Sequence, residues 1–417
     1  MSDKTDIVIA GAGPAGITTS LFLCKEKIPH ILLEKEKFPR DKICGDALSG
    51  KVLDVLRKLD EKFAGEIDGQ GNEFLGSYGV KFVAPNGSFV DIPFSIDLEK
   101  LKNAPGFISK RIHFDHHLYK KIDHSFATVI ENADVKEVKR DGKGITVTYR
   151  QNGTENVISC RMIIGAEGDR SMVARNLSSI KKEGEHYCAG LRAYYKGVKN
   201  FHQQNFIELH FLKELLPGYL WIFPLPNGEA NVGVGMLSSV VSEKKINLRQ
   251  LMLELIKSYP PISERFINAE LIGDIKGWGL PLGSKKRKIS GDNFLLVGDA
   301  AALIDPFTGE GIGNGMISGM LAAKQVQEAL AADRFDKSFL AEYDKKIYEA
   351  LWSELKLSRK LQGFAKYEWP FNMVVNNAAK NKEVRDLITC MFEDVNLRVK
   401  LSNPKFYFRL LFNRNQK

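Results

Sequence analysis

Cysteine is scarce and poorly placed for structural chemistry. The five residues Cys24, Cys44, Cys160, Cys188 and Cys390 are odd in number, widely spaced and form no C-x-x-C pair. That pattern argues against a disulfide scaffold and against a zinc site, and makes a reducing, cytoplasmic setting the default expectation. No apolar run approaches the ~20 residues that a membrane span requires. The opening MSDKTD leads straight into an apolar stretch, so no signal peptide is expected. Internal repeats and low-complexity segments are also lacking. His113, His116 and His117 crowd together without an H-E-x-x-H pattern, which reads as a polar helix face and leaves no metal expected.

What is present is an ordinary globular composition on a long chain: 417 residues, 44% hydrophobic and 27% charged. That length suits two or three domains. The net charge of +9 favours anionic surfaces. No nucleic-acid motif accompanies it, so phospholipid or an acidic substrate is the better expectation.

The most informative stretch runs from Asp6 to Glu34. Ile7, Val8 and Ile9 form a short β-run, and Gly11, Gly13 and Gly16 follow at once in G-x-G-x-x-G spacing. Pro14 stands where a helix would begin, and Ile17, Leu21 and Cys24 carry helical apolar spacing. Ile31–Leu33 form a second β-run ending in Glu34, 23 residues after Gly11. In such a unit the first glycine permits the turn, the second lets backbone approach a pyrophosphate, and the third lets helix and strand pack closely. The helix start offers free N–H groups and partial positive charge. Glu34 is placed to accept hydrogen bonds from a ribose, which favours FAD or NAD over NADP.

Farther along, Arg40 and Lys42 lie in a polar loop and are candidates to face phosphate, and Cys44-Gly45-Asp46 forms a small-residue turn. From spacing alone Cys44 reads as a half-buried thiol without chemistry. Strand patterns at Tyr78–Ala84 and Phe89–Pro93 flank a Pro85-Asn86-Gly87 turn, a hairpin signal. Arg111, near the start of a predicted helix, is a candidate phosphate contact. Four further strand patterns between Leu191 and Met236 predict an antiparallel sheet, with one turn at Pro226-Asn227-Gly228. Gly298–Gly313 passes from a strand into a helix rich in small residues that reaches about Ala331. From Asp336 the pattern is helical, with breaks expected at Trp369-Pro370 and Asn403-Pro404. The last 18 residues hold five Lys or Arg, no acid, and six large apolar or aromatic side chains within Phe406–Phe412. This composition fits an interfacial anchor as well as it fits a helix docked on the body of the protein.

Three motifs in order, GAGPAG (Gly11–Gly16), GAEGDRS (Gly165–Ser171) and GDAAALIDPFTGEGIG (Gly298–Gly313), resemble the FAD-binding monooxygenase superfamily typified by para-hydroxybenzoate hydroxylase. Lys42-Ile43-Cys44-Gly45 is similar to the cysteine-glycine segment of its geranylgeranyl reductase family. Tyr219–Pro224 with Asn231-Val232-Gly233 resembles that family's Y-x-W-x-F-P and N-V-G signature. The likeness covers roughly residues 1–330. Glu167, where the superfamily usually has Asp, and Asp46, where members often have a small residue, depart from it.

The resemblance implies an α/β fold: a Rossmann-type FAD-binding domain, an inserted antiparallel β-sheet substrate domain and a helical C-terminal region. The expected division assigns 1–75, 105–177 and 273–331 to the FAD domain, 76–104 and 178–272 to the substrate domain, and 332–417 to the helical region. It implies non-covalent FAD held by Gly11, Gly13, Pro14, Ala15 and Gly16, by Glu34, Lys35 and Arg40, and by Arg111 and Asp299. Cys44 and Gly45 would lie beside the flavin ring, approached also by Pro306, Gly309, Gly311 and Ile312, with Cys44 the catalytic candidate. Tyr219, Trp221, Phe223 and Pro224 would line a prenyl tunnel. Strand alternation sends Tyr219, Trp221 and Phe223 to one face, so their role turns on which face is the pocket.

The implied activity is reduction of carbon–carbon double bonds in a geranylgeranyl or related isoprenoid chain. The alternatives are a flavin monooxygenase and a flavin-dependent halogenase, whose W-x-W-x-I-P stretch is weakly echoed at Tyr219–Pro224 and for which Lys51 is the one candidate lysine. No second G-x-G-x-x-G opens a helix, so an external donor, NAD(P)H or a reduced redox protein, is expected to dock transiently. Peripheral contact with anionic membrane through the C-terminal tail is a further expectation.

Overall fold

The computed structural model describes residues 3–67, 72–97, 101, 103–142 and 144–393. Its organising layer is an eight-stranded sheet. Across it lie Ser290–Gly291, Phe294–Leu296, Thr154–Gly165, Asp3–Ala10, His30–Leu33 and Ala127–Ile130, the last five mutually parallel. Ile7, Val8 and Ile9 are fully buried, as a central parallel strand covered on both faces requires. An antiparallel meander of Ala133–Asp141 and Gly144–Gln151 hangs from the long Thr154–Gly165 strand.

Two helices start at the same end of this sheet. Pro14–Lys25 follows the first strand, and Ile312–Ala332 follows the strand at Phe294–Leu296. They cross closely because small residues meet. A Cβ at Gly319 would lie 2.3 Å from the Ala15 carbonyl oxygen; within the glycine turn itself, one at Gly16 would lie only 1.9 Å from the Gly11 carbonyl oxygen.

The second layer is a seven-stranded sheet in the order Glu270–Pro281, Tyr187–Lys196, Glu229–Leu237, Tyr219–Leu225, Ile207–His210, Gly79–Val83 and Phe89–Pro93. It is antiparallel except where Ile207–His210 pairs in parallel with Gly79–Val83. The hairpin of residues 79–93 therefore joins the same sheet as the strands after Tyr187. The edge strand runs on to Pro281, beyond the boundary expected at residue 272. Asn227, at φ 62°, turns the chain between Tyr219–Leu225 and Glu229–Leu237.

Both faces of this sheet are buried. Tyr219, Trp221 and Phe223 face one apolar core with Val80, Leu209 and Phe211. Leu220 and Ile222 face another with Val232, Val234, Met252 and Leu255. A small third sheet, Ala47–Leu48, Gly106–Ile108 and Leu75–Ser77, sits where the two layers meet.

The helical region comprises Lys337–Phe364, Glu368–Lys380 and Lys382–Glu393. Its first break falls at residues 365–367, ahead of the expected Trp369-Pro370. Pro370 lies in the first turn of the next helix, where its missing N–H costs nothing. Asn403-Pro404 lies outside the described residues. No helix among the described residues is long and apolar enough to cross a membrane.

Candidate active site

Between the layers lies a cavity of about 850 Å³ with two chemically different ends. One end is built from backbone. Gly13, Pro14 and Ala15 line it, as do Gly298, Asp299, Gly309, Gly311 and Ile312. Neither helix that starts here has a side-chain cap or an acid in its first turn. Their N–H groups and partial positive charge are therefore left for an anion.

The glycines divide their labour. A Cβ at Gly11 (φ 96°) would sit 2.6 Å from the Ala166 carbonyl oxygen, whereas one at Gly13 would meet nothing within 4 Å. Gly11 and Gly16 hold the turn together, and Gly13 borders open space. This is the cradle that a dinucleotide pyrophosphate needs, so the residues present fit FAD.

The polar residues around the cradle are mostly engaged with one another. Glu34 accepts from Ala12 N–H at 2.8 Å and from Glu36 N–H at 3.1 Å, pinning the glycine turn. Arg40 donates to Asp115 at 2.6 Å and to the Ala12 carbonyl at 2.7 Å. Arg111, buried and lining the cavity, grips Asp115 with two bonds of 2.6 and 2.7 Å. Burial opposes charge on Asp115, but Arg111 and then Arg40 outweigh it and hold the carboxylate below its usual range. Asp299 lines the cavity with Lys42 3.6 Å away. Lys35 stands exposed beside Glu36. Pro306 stays outside the cavity lining, its carbonyl accepting from Gln362.

At the middle of the cavity, the Cys44-Gly45-Asp46 loop lies against the seven-stranded sheet. A Cβ on Gly45 would lie 3.2 Å from Phe223 and 3.9 Å from Trp221 Nε1. Asn231 is the fastener. It accepts from Trp221 Nε1–H at 2.8 Å and donates to both the Cys44 carbonyl and Asp46 Oδ2, each at 2.8 Å. Tyr194 O–H also donates to Asp46 Oδ2 at 2.7 Å, while Oδ1 is buried without a hydrogen-bond partner.

Burial pushes the Asp46 carboxyl up to about 6, only partly offset by Tyr194, Asn231, Arg192 and Arg111. Burial likewise raises the Cys44 thiol, against the pull of Arg111, so Cys44 is a neutral thiol at neutral pH. In the sequence Asn231 stands in the N-V-G motif and Asp46 in the cysteine-glycine loop. Nothing local links these positions, 185 residues apart, so their bond is visible only in the folded chain.

The far end is apolar. Tyr219, Trp221 and Phe223 line it with Val80, Phe82 and Val90 of the hairpin and Phe371, Val374 and Val375 of the C-terminal helices. The cavity thus lies on the face to which alternation sends the three aromatics. Pro224 is buried but does not line it. Tyr219 O–H donates to the Thr308 carbonyl at 2.6 Å and ties this wall to the glycine-rich turn.

Lys51 lines the cavity with its ammonium 2.8 Å from Glu354 and 2.9 Å from Asn314 Oδ1, and Glu310 at 3.5 Å. The three histidines part company: His113 meets Glu73 at 3.2 Å, His116 stacks near Phe38 and Tyr119, and His117 packs on Phe63 and Phe74. Glu167 accepts from Ser171 Oγ at 2.5 Å and Met172 N–H at 3.0 Å, capping a short helix.

The chain belongs to the FAD binding domain family, whose model matches residues 4–355. It is an FAD-dependent oxidoreductase. The menaquinone reductase of Mycobacterium tuberculosis is 29% identical over 365 residues, spanning 81% of this chain and 82% of its own. The digeranylgeranylglycerophospholipid reductase of Methanococcus aeolicus is 29% identical over 377 residues, spanning 88% and 89%. Among solved structures, a geranylgeranyl bacteriochlorophyll reductase-like protein from Thermoplasma acidophilum superposes with a TM-score of 0.80 at 21% identity, covering 96% of this chain and 99% of that one. A flavin-dependent brominase reaches 0.73 at 20%, covering 96% and 98%. At such identities these structures speak for the fold alone.

Proposed function

We propose that this flavoprotein saturates carbon–carbon double bonds in a geranylgeranyl or related polyprenyl chain borne by a lipid or quinone. One observation carries the reading: the cradle for FAD and an apolar compartment walled by Tyr219, Trp221 and Phe223 are parts of one continuous cavity. A polyprenyl chain offers no hydrogen bonds, so its binding rests on buried area, about 0.8 kcal/mol per CH₂. The names of the two relatives, a menaquinone reductase and a digeranylgeranylglycerophospholipid reductase, support a prenylated substrate.

Reduced FAD supplies hydride when bound. The chain's own part is to exclude water with the aromatic wall, to stabilise negative charge with the N–H groups at the start of Ile312–Ala332, and to hold a proton nearby on the Cys44 thiol. The electron donor is NAD(P)H or a reduced redox protein docking from outside. The expected contact of residues 400–417 with anionic membrane lies outside the described residues.

The halogenase alternative would want a lysine near the flavin ring, and Lys51 is the candidate for it. Burial works against charge on Lys51, but Glu310 and Glu354 outweigh it and keep the ammonium protonated and paired. That pairing favours the reductase.

The test is mass spectrometry of a geranylgeranylated lipid incubated with dithionite-reduced enzyme, first without air and then in air with NADPH. Hydrogens gained in pairs without oxygen are expected. An oxygen atom added only in air would make the protein a monooxygenase. Unchanged turnover by Cys44→Ser would remove the thiol from the chemistry.

A further inference from the structure

The junction between Lys337–Phe364 and Glu368–Lys380 places two opposite surfaces on one short segment. Leu357, Ser358, Leu361 and Phe364, on the last turns of Lys337–Phe364, line the apolar end of the cavity, and Pro370 and Phe371 continue that wall from the next helix. On the outer side stand Phe364, 49% exposed, Tyr367, 67%, and Trp369, 68%. They are three of the four exposed aromatic side chains among the described large hydrophobics, the fourth being Phe89. Phe364 belongs to both surfaces, so the aromatic patch lies at the mouth of the cavity.

Charge is arranged around it. Residues 356–369 carry Lys356, Arg359, Lys360 and Lys366 against the single acid Glu368, which pairs with Lys213 at 3.2 Å. Lys356, Lys360 and Phe364 recur at intervals of four on one helix face, and all three are exposed. Aromatic rings with flanking lysines suit the bilayer–water boundary, where rings enter the headgroup level and long amines reach up to lipid phosphates. A soluble partner groove would not need the apolar cavity to open through the same residues.

We infer that the turn between Lys337–Phe364 and Glu368–Lys380 docks on the surface of an anionic phospholipid bilayer, so that a prenylated substrate passes from membrane to cavity past Phe364 without crossing water. The route rests on the prenyl-substrate reading above. The docking does not, and it is tested without substrate.

Full-length FAD-loaded protein is sedimented with vesicles of phosphatidylcholine alone and of phosphatidylcholine with phosphatidylglycerol, neither holding a prenylated lipid. Wild type is expected to bind the anionic vesicles, less so at high salt. The triple variant Phe364→Ser, Tyr367→Ser, Trp369→Ser is expected to bind at least tenfold more weakly while still folding with FAD bound. Trp369→Phe should abolish most of the vesicle-induced blue shift in tryptophan emission, a readout that does not depend on the triple variant folding. Absence of wild-type binding overturns the inference. So does equal binding by the triple variant, which would hand the contact to residues 401–417 or another surface, and so does a wild-type dimer that the variant dissociates. Double-bond reduction on detergent-dispersed substrate is scored separately, so its failure counts against the prenyl reading and leaves the docking result standing.

Discussion

The two ends of the cavity are built by opposite means. At the dinucleotide end the wall is main chain: Gly13, Gly309 and Gly311, and two uncapped helix starts, with Gly11 and Gly16 packed behind it. At the apolar end it is side chain, gathered from the hairpin of residues 79–93, the Tyr219–Leu225 strand and the C-terminal helices. A backbone wall tolerates almost no change where chain packs on chain, because main-chain atoms cannot swing away. A side-chain wall can be reshaped residue by residue, at the cost of packing energy. Phosphate recognition is thus fixed by local geometry, and substrate preference is left open to substitution.

The sharpest way to break this contrast lies within one motif. Gly16→Ala drives a methyl into the Gly11 carbonyl and should prevent accumulation of folded protein, an overpacking penalty of more than about 3 kcal/mol. Gly13→Ala meets open space, so the apoprotein should melt within a degree or two of wild type while FAD affinity falls at least tenfold. Differential scanning calorimetry with flavin fluorescence titration checks both; equal damage by the two would erase the distinction.

At the side-chain end, Trp221→Ala should cost about 3–5 kcal/mol, since it removes a large buried ring and strands the Asn231 carbonyl oxygen. Chemical denaturation measures it. Trp221→Phe should cost less, with FAD still bound.

Asp46 tests the junction between the ends. Its folded-state carboxyl is raised to about 6 from an ordinary value of 3.8, so the folded protein binds the extra proton. The Asp46 contribution to stability should therefore be fully present below about pH 4, decline as pH rises through about 6, and be absent above. The full swing is at most about 3 kcal/mol, from 1.36 kcal/mol per unit. Asp46→Asn should flatten that slope in denaturation midpoints taken from pH 4 to 8. An unchanged slope would mean that another group titrates. Smallest of all, Lys35→Ala should leave midpoint and FAD affinity within error, because the exposed Lys35–Glu36 pair contributes under about 1 kcal/mol.

The same contrast explains what a reader of the sequence sees. The strand, glycine turn, helix and acid of residues 6–34 announce themselves because each contact lies within one local unit. The strands at Tyr219–Leu225 and Glu229–Leu237 are equally plain from alternation and the Asn227 turn. Hidden from the sequence was how these parts meet. That Asn231 would fasten Trp221 to the Cys44 loop depends on docking of separate layers. Arg111 was expected at phosphate from its charge. Its place on a helix one turn before Asp115, with Arg40 arriving from a distant loop, makes it part of a buried knot at the cavity wall.

The sheet that carries Trp221 separates two cores that share strands but no side chains. Behind it, Leu220, Ile222, Val232 and Val234 pack on the helix Leu248–Ser258, and Arg265 clasps Glu208 with bonds of 2.5 and 2.9 Å. For protein engineering this bulkhead means that heat resistance and product scope are separable. Repacking the rear compartment can raise the melting temperature while the cavity side keeps its shape, and the cavity side can be recut for substrates of other shapes while the rear core carries the fold.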